Sequence, residues 1–122
     1  LEATLADPRL AGKFRVLALH HPPQPDAAHW HNRLTDAEAL RRILARQGAE
    51  LALHGHLHRR LRAELPGPEG PVPVRGVASV SSRADTSLRR GQLHRFRIRD
   101  DRLVAEEVWA YDRRRSTFAQ TA

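Results

Sequence analysis

Ala49-Glu50-Leu51-Ala52-Leu53-His54-Gly55-His56-Leu57-His58 is the stretch from which the fold is read. Residues 49–54 are a short apolar run of strand length, as expected of a strand buried in a parallel sheet. The run then passes through one glycine into two histidines spaced by a single residue. Neutral imidazole is the commonest metal ligand among side chains, and a glycine lets the backbone turn sharply so that neighbouring rings converge. In a regular strand, positions i and i+2 share a face, so His56 and His58 are placed to serve one ion or two adjacent ions. A lone His-x-His is common in proteins. A second element, His20-His21-Pro22-Pro23, strengthens the reading because it also closes an apolar run, residues 14–19, which reads as a buried strand.

Between the two runs, Thr35-Asp36-Ala37-Glu38 has the S/T-x-x-E pattern of a capping box and predicts a helix over 36–47. Ala37, Leu40, Ile43 and Leu44 recur at helical spacing, and Gly48 is placed as the C-terminal cap. Strand, helix and strand make one βαβ crossover with parallel strands, which puts both histidine clusters at the carboxyl ends of neighbouring strands. Open α/β sheets place their ligand sites there. Upstream, residues 1–10 read as the tail of a helix ended by Asp7-Pro8 and Gly12. The loop through Arg33 carries Pro25, Asp26, His29, Trp30, His31 and Asn32; it reads either as a substrate-facing lip or as a solvated loop. Downstream, residues 66–71 form a turn-rich connection, 72–82 a strand interrupted by Gly76, and 92–99 with 103–111 a hairpin about the turn Asp100-Asp101. The expected class is α/β: residues 1–58 a βαβ unit bearing the ligands, residues 59–122 a β-rich tail.

The chain has 122 residues, enough for one domain that buries about two thirds of its unfolded surface. It contains no Cys, which excludes a disulfide framework and thiolate zinc and leaves His, Asp and Glu as ligands. It also has no Met and starts on Leu1, from which a piece of a longer protein is expected. The net charge of +7 resembles a nucleic-acid footprint, but Lys13 is the sole lysine and the arginines are scattered apart from Arg59-Arg60, Arg89-Arg90 and Arg113-Arg114-Arg115. Nucleic acid is therefore not the favoured partner. No apolar run approaches the roughly 20 residues of a membrane span and no signal peptide is visible, so a cytoplasmic chain is expected. His54 reads as a packing or outward-pointing residue, and His94 as structural.

Taken together, His20-His21-Pro22-Pro23, a capped helix and Gly55-His56-Leu57-His58 resemble the C-terminal half of the calcineurin-like metallophosphoesterases, especially the branch similar to cyclic-nucleotide phosphodiesterases. Gly70-Pro71-Val72-Pro73-Val74, Ala78-Ser79 and the closing hairpin resemble the same branch, so the likeness covers nearly the whole chain. It implies a four-layer α-β-β-α sandwich, of which residues 1–122 are the C-terminal portion, with a two-metal centre between the sheet edges. By resemblance, His20 and His56 ligate one metal and His58 the other. His21 would contact the substrate phosphate or the leaving group; His31 lies on the substrate lip, and Arg59 faces either the site or the solvent. The cofactors implied are two divalent ions, for which imidazole suits Mn, Fe, Zn or Ni. The family's Asp-x-His, Gly-Asp and Gly-Asn-His motifs do not occur in this chain. The missing N-terminal half of the domain is thus an expected partner, the phosphate ester is the expected substrate, and a homo-oligomer remains open.

Two classes of function follow. One is hydrolysis of a phosphate mono- or diester by the full-length protein, this segment being inactive by itself. The other is a non-catalytic histidine-based metal-binding or regulatory module, or a basic nucleic-acid-binding domain.

Overall fold

The computed structural model describes residues 1–25 and 34–121. Its organising helix is α2, Ala37–Gln47, which follows the short α1, Glu2–Leu5, and a 3-10 turn at Pro8–Leu10. Leu40 and Leu44, one turn apart on α2, are buried, with Leu44 fully inaccessible. They pack with Leu5, Ala49, Ala52, Leu65, Val72 and Val74 into a single core between helix and sheet. Fully burying a leucine contributes about 1.5–3 kcal/mol relative to leaving it exposed, so these two positions fix the helix to the sheet.

Under α2 lies a four-stranded sheet in the order β1-β2-β4-β3, with β1 at Val16–Leu19, β2 at Leu51–His54, β3 at Leu61–Leu65 and β4 at Val72–Gly76. β1 and β2 are parallel, Leu19 opposite His54, and β2 and β4 are parallel, His54 opposite Gly76. The carboxyl ends of three strands therefore meet along one edge. A second, antiparallel sheet contains β5 (Gln92–Arg99), β6 (Arg102–Asp112) and β7 (Thr117–Gln120). This is an α/β fold, with parallel strands where the sequence pattern places them.

The two sheets are tied by a buried polar contact. Arg62 on β3 and Arg75 on β4 stand directly opposite each other, a like-charge pairing that would repel if left alone. Glu106 on β6 resolves it: its Oε2 accepts from Arg75 Nε at 2.8 Å and lies 3.2 Å from the Arg62 guanidinium. The His94 ring on β5 is buried beside it, with Nδ1 at 3.6 Å from Glu106 Oε1. Elsewhere Arg15, Arg46, Arg95 and Arg97 are each tied to a carboxylate. Part of the positive charge is thus paired within the fold.

Several expectations are corrected. α2 is capped at Asp36 without a side-chain hydrogen bond, so Thr35-x-x-Glu38 does not form the expected capping box. Gly48 does take the left-handed backbone, φ 67°, and its N–H donates to Leu44 O. The first strand is an edge strand, not a buried one: Val16 is 47% exposed. Residues 1–10 break into two short pieces at Asp7-Pro8, where the Asp7 side chain accepts from Arg9 N. The strand expected over 72–82 ends at Gly76. β3 and β7 were not anticipated; Leu61-Arg62-Ala63-Glu64-Leu65 alternates apolar and charged residues, the signature of a half-buried strand.

Candidate metal centre

The chain leaves β1 at Leu19 and goes directly into His20 and His21, where Pro22 and Pro23, both buried, prevent further strand pairing. Across from it, the chain leaves β2 at His54. Gly55 N–H donates to His20 O at 3.2 Å, extending the contact between the two chain segments by one residue beyond the strands. Each strand end is thereby held against the other before either turns away.

The turn after β2 is made in an unexpected manner. Gly55 does not adopt a left-handed backbone, and nothing lies within 4 Å of where its Cβ would be. The histidines themselves turn the chain, with φ 59° at His56 and φ 48° at His58. Left-handed backbone at non-glycine residues costs on the order of 1–3 kcal/mol and persists where the surroundings enforce it, often at functional sites. The expectation that His56 and His58 share a strand face is therefore corrected: residues 55–58 are a curled turn, not a strand.

This turn swings His56 onto the β1 side. His20, His21 and His56 have ligand nitrogens all within 4.8 Å of one another, a group that can hold a metal ion. His56 Nδ1 lies 3.1 Å from His20 Nε2. Two nitrogens bound to one tetrahedral zinc at about 2.0–2.1 Å would stand roughly 3.4 Å apart, so this pair already has nearly the spacing of ligands to one ion. His21 stacks at a tilt on His56, ring centroids 4.3 Å apart, and meets His20 edge to face at 4.9 Å. Desolvation, then the rings of His21, His20 and His58, hold the His56 pKa below the usual histidine value. This favours the uncharged ring, whose lone pair can serve a ligand.

Of the residues singled out in the sequence, His20, His21 and His56 are brought together. His58 is exposed and lies outside this group, although close enough to influence His56 electrostatically. Arg59 is half-buried, and its charge acts on His54. His31, with His29 and Trp30 of the expected lip, lies outside the described residues. His54 is buried, 3% exposed, directly behind the cluster. Its Nδ1 is 3.1 Å from Gly55 O and its Nε2 is 3.2 Å from the Gln24 amide nitrogen. Gln24 was not anticipated, since an amide after two prolines carries no periodic or motif signal. Burial lowers the His54 pKa; the bond to Gly55 opposes this and Arg59 adds to it.

No family model matches the chain. It is 35% identical over 83 residues to a probable cyclic nucleotide phosphodiesterase of Synechococcus sp. (strain WH7803). The match covers 66% of this chain and spans only 31% of the length of that relative. The likeness is to a phosphodiesterase, and among the described residues no helix is long and apolar enough to cross a membrane.

Proposed function

We propose that this chain supplies the imidazole side of a metal-dependent phosphoesterase of the calcineurin-like kind, cleaving a phosphate mono- or diester, such as the diester of a cyclic nucleotide. The observation that carries the reading is the convergence of His20, His21 and His56 at the carboxyl ends of adjacent parallel strands. His20 and His56 would be imidazole donors to one ion, and His58, one residue past Leu57, the donor to a second. When bound, Mn, Fe, Zn or Ni ions would act as Lewis acids on the phosphate and lower the pKa of a water so that it attacks at neutral pH. His21, packed against His56, presents an imidazole to the phosphate or the leaving oxygen, and Arg59 adds positive charge beside the turn. The metal-capable group of the described residues contains no carboxylate. The resemblance to that family implies a bridging acid from another segment, with residues 1–122 as the C-terminal portion of such a domain.

The test is turnover of an aryl phosphodiester and of a cyclic nucleotide by the intact protein, chelated and then resupplied with Mn or Zn. Activity should vanish on chelation and return with metal, and His56→Ala should lower it by at least about 100-fold. Stoichiometric metal binding without hydrolysis would establish the non-catalytic module instead. Undiminished turnover by His56→Ala would remove the cluster from the chemistry.

A further inference from the structure

Behind the cluster, His54 touches both histidine-bearing segments. Its ring is wedged against Gly76 on β4: a Cβ added there would fall 2.6 Å from Cε1 and 2.8 Å from Nε2 of the imidazole. Such distances are far inside van der Waals contact, so His54 occupies space that only a glycine at 76 leaves free. On its Nδ1 side the sole partner among the described residues is Gly55 O, an acceptor, so Nδ1 carries the proton and donates. The other ring nitrogen then has a lone pair, and the Gln24 amide N–H donates to it. One neutral tautomer satisfies both contacts. Gly55 is the residue before His56, and Gln24 follows His20 and His21 across the two prolines. Gly55 also donates to His20 O, which closes the connection from the other side.

We infer that His54 is a positioning residue: a buried imidazole, seated by Gly76, that clamps the segment after β1 to the turn after β2 and so sets the separation of His20, His21 and His56. The inference rests on the reading of those three side chains as a metal site. Outer-shell groups that orient ligands typically govern 10–100-fold in metal affinity, although they never touch the ion. His54 acts through Gln24 and the Gly55 carbonyl, so its effect should be shared with Gln24 and reproduced by crowding from position 76.

The experiment is calorimetric titration of the intact protein with Zn2+ alone, unsubstituted and as His54→Ala, Gln24→Ala, the double variant, Gly76→Ala and Leu44→Ala. The last is a core control that loosens the fold without approaching the site. We expect His54→Ala and Gly76→Ala to bind Zn2+ about 10–100-fold more weakly. Gln24→Ala should show a smaller loss, the double variant no further loss beyond His54→Ala, and Leu44→Ala an affinity unchanged in the folded fraction. If Gly76→Ala does not fold, the His54 and Gln24 cycle decides by itself. Unchanged affinity in His54→Ala, or strictly additive losses in the cycle, would overturn the clamp while leaving the metal site intact. Absence of Zn2+ binding by the unsubstituted chain would overturn the site reading on which it rests.

Discussion

The imidazoles at the end of the first sheet and the imidazole of His94 between the sheets are the same side chain in opposite circumstances. His20, His21 and His56 crowd together at a half-open edge, with ring nitrogens directed at one another. The His94 side chain is 4% exposed, and neither of its ring nitrogens has a hydrogen-bond partner among the described residues. The first arrangement holds lone pairs where a cation can reach them. The second encloses a ring where burial disfavours a proton. Residue type is therefore a poor guide to histidine chemistry; what decides it is whether the nitrogens converge on a shared point or are enclosed singly.

The largest effect that separates the two regions is expected in stability against pH. Burial holds the His94 pKa below its ordinary value, and so do the charges of Arg60, Arg62 on β3 and Arg75 on β4, with only Glu106 on β6 opposing them. A histidine whose folded pKa is depressed contributes stability that is present above its unfolded pKa of about 6.5 and is lost as pH falls through the folded value. The unfolding free energy of the unsubstituted chain, from urea titrations, should fall between pH 7.5 and pH 5.5, by at most about 1.4 kcal/mol per pH unit for this one proton. His94→Phe should show a shallower fall. An equally steep one would mean that His94 does not resist protonation.

A smaller effect concerns the two glycines beside the cluster. Gly55, the motif glycine, has open space at its Cβ position, whereas Gly76 has the His54 ring there. Gly55→Ala should therefore bind Zn2+ like the unsubstituted chain and melt at the same temperature or slightly higher, by about 0.4–1 kcal/mol of stabilisation. A loss of binding would show that the glycine carries the turn after all. Smallest of all, Thr35→Ala should change stability by less than about 0.5 kcal/mol, since no side-chain cap is made at the start of α2. A loss near 1 kcal/mol in thermal melts would restore the capping box.

The contrast also explains how much was legible in the sequence. The parallel β1-α2-β2 unit followed from apolar runs, helical spacing of Leu40 and Leu44, and Gly48, because burial and backbone sterics are written locally. The neighbourhood of His20 and His56 followed from that topology. The inner side of the site did not: His54 became a clamp only because β4 enters the sheet beside β2 and brings Gly76 against it, a pairing between distant residues. The left-handed backbone at His56 and His58 was hidden because the adjacent glycine invited the wrong assignment of the bend. β3 was overlooked because its two charges mask a period-two strand, and one of them, Arg62, meets its partner Glu106 only from the second sheet.

The central claim is that the turn after β2 exists to bring His56 to His20 and His21 as an ion ligand, and a titration with Co2+, followed by its visible absorption, tests it most directly. The unsubstituted chain should bind Co2+ saturably and develop the absorption of imidazole ligation. His56→Gly, which keeps the left-handed backbone and removes only the ring, should fold with equal stability or about 0.5–1 kcal/mol more and show no such band at the same concentration. A His56→Gly chain that binds Co2+ as the unsubstituted chain does, or an unsubstituted chain with no saturable binding, would contradict the account.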